Sequence, residues 1–507
     1  MKKTLRYLAI LSFFLVVILL GWFKIVDFDV GWHMKAGEHI FLSRSIPRQD
    51  IFSYIAQGNP WVDSHWLFQV ILYLSYALLG VSGSIMLRMF VVAATFGLLF
   101  LTVYRKEYYP ASILICLLAL FMSFQRFLLR PEIFTFLFLA VFVYFAENFS
   151  RSPRLALIII PISQVLWANM HGLHLLGVAF LGLYLLGDLL QAGLARYLPS
   201  IFSSPQVTFR EWKQKGLLFG LTCFALLLNA NGLDGILYPY KIFSELKVKP
   251  TIFSLVSELV SPLAIKNAPF PDPSVIYRIF LPLSALALLF QAKRIRLAHL
   301  FPYGAFLYLS TLAIRNVPLL AIVATPMTIR NIYGIFDFVR EKRPQVSGQP
   351  PIEPIAGAGC IVLCLLICVS IVNNSLYRRL GYLRSFGFGL SATYPTEAVS
   401  YLRSKNIAGN IFNSSDIGGY LLWQLYPPRK VALDGRWEVY GDFLNNIQRL
   451  ADPKYFAELA AKYQIEAIIL YKRSWEAQLM LPWLQISPFW QMTKDTAVAV
   501  VYEKVEE

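Results

Sequence analysis

Asp27-Phe28-Asp29 sets two carboxylates one residue apart, directly after an apolar run. Such a pair can share a cation. Alternatively, one carboxylate takes a proton while the other binds a metal or orients a substrate. Gly31-Trp32-His33 follows at once, and Trp61-Val62-Asp63-Ser64-His65-Trp66 closes the same loop, which also contains His39. Together the two segments hold three Asp, two His and three Trp. Asp with His is the side-chain set for proton transfer or for a divalent metal. Aromatic faces suit sugar rings and lipid interfaces alike. The plainer reading is that carboxylates at a helix end are simply solvated and that His33 and His65 are interfacial residues.

More polar residues recur between later apolar runs. Arg126 precedes Arg130-Pro131-Glu132; Asn169-Met170-His171-Gly172-Leu173-His174, Asn229-Ala230-Asn231-Gly232 and Arg315-Asn316 follow further on. Ionisable groups near a bilayer are costly and are functional candidates by default, although a lone Arg near a helix end can also snorkel. Arginines beside lipid suggest a phosphate ligand, because guanidinium meets phosphate oxygens in a fixed fork. Arg88, Arg130 and Arg315 are the candidates. No Walker loop, GxSxG elbow or HExxH motif is present. The machinery for nucleotide hydrolysis is therefore absent from the sequence, which points to a substrate that is already activated. Cys360, Cys364 and Cys368 share one helix face and read as packing residues rather than metal ligands.

The elements that must position these groups are membrane helices. The chain has 507 residues, 57% of them hydrophobic and only 15% charged. A soluble domain carries roughly 25% charge. The formal charge of +16 fits basic loops facing anionic lipid better than nucleic acid. Runs long enough to span the hydrocarbon lie near 7–26, 84–104, 110–126, 132–148, 155–170, 174–193, 216–230, 276–291, 298–313, 316–335 and 354–373. That gives about eleven transmembrane helices, the first a retained signal anchor because no small-residue cleavage site follows it. With the N-terminus inside, the clusters Lys2-Lys3, Arg105-Lys106, Arg151 with Arg154, Arg196 to Lys215, Lys293 to Arg296, and Arg340 to Arg343 all fall on the cytoplasmic side. This orientation requires residues 66–82 to lie on the outer surface as an amphipathic helix. The first outer loop, 27–83, then carries two surface helices, near 32–44 and 64–80.

Residues 1–376 read as the transmembrane domain and 377–507 as a small extracytoplasmic α/β domain, because apolar runs shorten and helix and strand patterns alternate there. Helices are predicted over 395–405, 416–425, 438–450 and 453–463, and strands over 410–412, 430–433, 467–471 and 497–502. Asp416, Asp434 and Arg436 sit where strands give way to helices or turns, which is where α/β domains bind ligands.

These residues resemble the GT-C superfamily of membrane glycosyltransferases, which includes protein O-mannosyltransferases and lipid A aminoarabinose transferases. The nearer resemblance is to bacterial GT-C-like membrane proteins. It rests on Asp-x-Asp-x-x-Trp-His at 27–33, Ser45-Ile46-Pro47-Arg48-Gln49-Asp50, Trp61-Val62-Asp63-Ser64-His65, Arg88 opening a crossing, Arg130-Pro131-Glu132, Ala168 to Gly172, Gly418-Gly419-Tyr420 and Asp434-Gly435-Arg436. Glu132 departs from the pattern, where His after Arg-Pro is commoner. The resemblance implies a sugar donor linked to polyprenyl phosphate and transfer at the extracytoplasmic face of a bacterial inner membrane, usually with inversion. The acceptor would be an envelope glycan, a lipid or a protein. The base falls on Asp27 or Asp29, with Asp63 as the alternative. His33, His65, Arg88, Arg130, Glu132, His171, His174 and Arg315 become substrate-binding candidates. A divalent ion, Mg or Mn, is compatible with Asp27 and Asp29, although not all relatives use one.

Two other classes fit the helices without chemistry: a lipid-linked sugar transporter or flippase, and a non-catalytic assembly protein for envelope polysaccharide. Transporters gather polar residues at the bilayer midplane and show paired repeats. Here the polar residues gather at helix ends and no repeat is visible.

Overall fold

A helix covers each of the eleven apolar stretches in the computed structural model, which describes residues 2–197, 208–248, 257–290, 296–342, 352–405 and 407–505. They are α1 (Lys2–Gly21), α3 (Trp66–Val103), α4 (Tyr109–Ser123), α5 (Glu132–Glu147), α6 (Pro153–Ala168), α7 (Leu175–Tyr197), α8 (Phe209–Ala225), α10 (Pro273–Phe290), α11 (Leu297–Leu312), α12 (Val317–Lys342) and α13 (Ile352–Val372). Between them lie α2 (Val30–Ser43) and α9 (Gly232–Val248), the latter not anticipated from the sequence. Among the described residues, seven helices are long and apolar enough to cross a membrane. Helices α5, α6 and α11 have 16 residues each, about 24 Å at 1.5 Å per residue, short of a roughly 30 Å hydrocarbon layer. Of the expected basic clusters, Lys293, Arg294 and Arg343 lie outside the described residues.

Two boundaries differ from expectation for local reasons. Helix α1 stops at Gly21 rather than near Val26: Phe23 and Ile25 enter β-bridges instead, and the Arg88 side chain binds carbonyls at and just past the helix end. Arg88 Nε donates to the Gly21 carbonyl at 2.9 Å, and its Nη2 donates to that of Phe23. Helix α3 is broken at Leu79 and Gly80, where Gly80 has φ of +61°. The break leaves 66–78 as a helix of its own, near the one expected at 64–80.

The chain forms two compact units, a grouping that does not follow a single cut after residue 376. One comprises Met1–Phe23 with Ile85–Gly387; the other comprises Lys24–Ser84 with Phe388–Glu507. In the helical unit α1 packs on α13, α7 on α11, and α12 on α4, α10 and α11. Cys360, Cys364 and Cys368 are buried, and none belongs to a metal-binding group among the described residues. One buried carboxylate inside this unit is fully paired. Glu147, at the end of α5, accepts from His299 Nε2 at 2.7 Å and Tyr184 Oη at 3.1 Å, and pairs with Arg330 at 2.5 Å.

The second unit holds α2, α14 (Thr396–Ser404), α15 (Ser415–Leu425), α16 (Pro453–Tyr463), α17 (Trp475–Leu484) and a sheet of strands β1 (Asn410–Asn413), β2 (Ile465–Tyr471), β3 (Trp490–Asp495) and β4 (Ala499–Lys504). Their order is β1-β2-β4-β3, with β1 parallel to β2 and the other pairs antiparallel. Two expectations fail here. Residues 430–433 form no strand: Val431 bridges Ser53, while side chains satisfy the neighbouring backbone. Asn413 binds the Ala432 amide at 2.8 Å and the Leu433 carbonyl at 2.7 Å, and Ser53 Oγ donates to the Ala432 carbonyl at 2.7 Å. The helix expected over 438–450 is three short turns, with Gly441 at φ of +48° interrupting it. Helix α17 and strand β3 had no clear sequence signal.

Candidate active site

Glycines bring the Asp27 segment against the C-terminal elements of its unit. A Cβ on Gly31 would collide with the Gly419 carbonyl, and one on Gly419 would collide with the Phe28 carbonyl. Helices α2 and α15 therefore meet backbone to backbone, and any side chain at these positions would part them. Phe28 is held between Tyr394 and Tyr471, with ring centroids at 4.8 and 5.4 Å. Tyr394 Oη donates to the Asp27 carbonyl at 2.6 Å.

The two carboxylates are thereby given different settings. Asp27 is buried, and its Oδ1 accepts from the Asp29 amide at 3.2 Å, a local turn bond. Asp29 is half-buried and opens α2 without capping it. Its carboxylate lies against Gly435, where any Cβ would overlap it. Asp29 is thus the more accessible of the pair.

The other members of the loop form a stack. Trp32 lies on His33 at 3.6 Å between centroids, and His33 meets His65 at 5.7 Å and Phe68 at 5.2 Å. His33 is buried. Burial pushes the His65 imidazole below its ordinary value and favours the neutral ring. Asp63 is wholly buried, and its Oδ1 accepts from the His65 amide and from Gln69 Nε2, both at 3.0 Å. Burial pushes its carboxyl up to about 7, against the His65 amide and Arg436, which pull it down. Asp63 therefore braces the turn that carries His65 and is closed to a substrate.

Asp434 and Arg436 are equally enclosed. Asp434 Oδ1 accepts from the Arg436 amide at 2.9 Å, and the Arg436 guanidinium pairs with Asp434 at 2.6 Å and with Asp50 at 2.5 Å. The same guanidinium lies 4.7 Å from the Trp61 ring and 5.1 Å from Phe52. This buried triad locks the segment around Asp50 onto the C-terminal segment. Asp416 sits exposed in the first turn of α15, apart from the triad.

In the helical unit, Arg126, Arg130 and Glu132 come together with Glu258. Arg126 pairs with Glu132 through Nε at 3.1 Å and with Glu258 at 2.6 Å; Arg130 reaches Glu258 at 3.4 Å. Burial alone would raise the Glu258 carboxyl, but Arg130, Arg126 and Arg315 outweigh it and hold it at about 2. Arg88 is elsewhere, buried over the Phe23 ring at 3.7 Å and bonded to backbone carbonyls. His171 shares a hydrogen bond with Thr135 at 2.7 Å, and His174 is buried beside the His171 carbonyl.

No family model matches the chain, and no curated protein matches it. Among solved structures, the chain is similar to the apo crystal structure of the Archaeoglobus fulgidus oligosaccharyltransferase. The TM-score is 0.55 at 13% identity, covering 91% of this chain and 69% of that one. The chain shares the overall fold of that structure.

Within this fold the donor set for a metal is thin. Asp27 already accepts a backbone amide, and among the described residues no three His, Cys, Asp or Glu side chains converge. The pair does not fit a metal by itself, and no step below runs through one. Sequence reasoning missed Glu258, which lies between apolar stretches with no flanking motif, and Asp50, whose partner is remote in sequence. It also left Arg126 out of the phosphate candidates, although its spacing to Arg130 was visible.

Proposed function

We propose that this membrane protein transfers a sugar from a polyprenyl-phosphate donor to an acceptor hydroxyl at the extracytoplasmic face of a bacterial inner membrane, inverting the anomeric carbon. The observation that supports the reading is the fold shared with the oligosaccharyltransferase, matched over 91% of the chain. A fold hosts many functions, so residue chemistry must supply the rest.

Asp29 is assigned the base. It takes the proton of the acceptor hydroxyl as that oxygen attacks the anomeric carbon from the face opposite the phosphate. The carbon–oxygen bond to phosphate breaks, and its electron pair leaves on polyprenyl phosphate. Asp27 orients Asp29 through its turn, and the buried Trp32–His33 stack backs the start of α2. Asp63 holds His65 in place. In the helical unit, Arg130 and Arg315, with Arg126 behind them, are assigned to a lipid phosphate, whose charge guanidinium groups hold. The acceptor is a glycan, a lipid or a protein.

The test is transfer from a defined polyprenyl-phosphate sugar by the purified, reconstituted protein. Asp29→Asn should lower the rate by about 10²–10⁴, the usual contribution of a positioned base, with insertion intact. Full transfer by Asp27→Asn, Asp29→Asn and Asp63→Asn alike would end the proposal. Donor movement across the bilayer without transfer would favour a flippase.

A further inference from the structure

Glu258 is the one acid of its segment that meets the arginine cluster, and its placement is unusual for a plain salt bridge. It belongs to a single turn, Ser257–Leu259, in the connection between α9 and α10. Its carboxylate receives Arg126 at 2.6 Å and Arg130 at 3.4 Å, and Arg315 adds attraction. Each of these arginines comes from a different position in the helical unit. Arg126 follows α4, Arg130 precedes α5, and Arg315 lies in the turn Ile314–Asn316 before α12. The Val260 carbonyl accepts from the Ile314 amide at 2.8 Å, so the two turns are laced together.

Arg126 has a second acid in Glu132, a fixed partner on the first turn of α5. Glu258 is different. Its side chain is 23% exposed and that of Arg130 is 28% exposed, so water reaches this half of the cluster while Arg126 and Glu132 are sealed behind. A carboxylate and a phosphate offer guanidinium groups the same pair of anionic oxygens. An arginine group at helix ends that closes on a loop-borne acid can therefore exchange that acid for another anion without breaking its buried half.

We propose that Glu258 is an internal stand-in for phosphate: it occupies Arg126 and Arg130 until a ligand arrives and yields them, with Arg315 close enough to add its charge, to the phosphate headgroup of a prenyl lipid. The proposal rests on the transferase reading for the source of the phosphate, but not on any transfer taking place. Binding is then an exchange of one anion for another. It keeps the arginines paired throughout, and it weakens affinity by whatever the Glu258 contacts contribute.

The test is calorimetric binding of farnesyl phosphate, inorganic phosphate and farnesol to the full chain in nanodiscs. Glu258→Gln should bind farnesyl phosphate on the order of tenfold tighter than the native chain, because the competing charge is gone. Arg130→Gln and Arg315→Gln should weaken it by on the order of tenfold each, and farnesol should not bind. Glu258→Asp, which keeps the charge on a shorter arm, should fall between native and Glu258→Gln and covers the case where Glu258→Gln does not fold. Tightening confined to farnesyl phosphate identifies a lipid headgroup; equal tightening for inorganic phosphate identifies free phosphate as the ligand. Unchanged or weaker binding by Glu258→Gln and Glu258→Asp would overturn the proposal. Tighter binding with no sugar transfer would overturn the transferase reading instead and leave this one standing.

Discussion

The Asp29 carboxylate fills the space into which a side chain on residue 435 would project. Gly435 is thus a positioning residue for Asp29, and Gly435→Ala should push the carboxylate aside. A displacement near 1 Å at a reacting group costs about 10² in rate. Transfer kinetics should show kcat falling by about that factor with donor KM unchanged. Equal activity in Gly435→Ala would mean that Asp29 does not act from this position.

Asp63 gives a pH signature. Its folded value, about 7, lies above the ordinary 3.8, so the fold favours the protonated acid. The stability it contributes is complete below pH 4 and is lost as pH rises through about 7. Asp63→Asn keeps the acceptor oxygen for His65 and Gln69 and cannot ionise. The native chain should lose stability relative to Asp63→Asn between pH 4 and 7, by on the order of a few kcal/mol. Thermal unfolding across that range would show parallel curves if the reading is wrong.

The Asp50–Arg436–Asp434 triad is expected to matter for folding more than for ligand binding. Removing one partner of a buried ion pair costs about 3–5 kcal/mol, since the other charge stays buried. Arg436→Met should lower the unfolding midpoint accordingly, and Asp50→Asn less. A normal midpoint with weakened substrate affinity would restore Arg436 as a ligand.

Arg88 separates two roles that look alike in sequence. In the structure it caps α1 through the Gly21 and Phe23 carbonyls. Arg88→Met leaves those groups without it, at about 1–3 kcal/mol each if they stay unsatisfied. Stability should drop while farnesyl phosphate affinity holds. Loss of affinity at unchanged stability would return Arg88 to the phosphate.

The membrane helices were readable because apolar runs of that length have few other fates in a folded protein. The α/β character after residue 377 was readable from alternating patterns, and β1, β2 and α16 fell close to where periodicity put them. What failed was set by tertiary contact. Residues 430–433 look like a strand but spend their backbone bonds on Asn413 and Ser53. Gly441 breaks a helix that periodicity favours. At the site, Asp27 and Asp29 were legible as a pair, whereas their division into a buried and an accessible member depends on Gly435, far along the chain. The same holds for Arg130, which was picked for phosphate without Glu258, the acid it pairs with.

Ser53 binds Ala432 across 379 residues, and this distance has a consequence for biosynthesis. At 5–20 residues per second, the ribosome needs about 20–75 s to make the partner of a loop already emerged. Phe52, Trp61 and Asp50 must wait through that interval without the Arg436 that will cover them. The loop is therefore a natural client for a holding chaperone, and a nascent chain arrested before residue 400 should be far more sensitive to protease in residues 45–65 than the finished protein.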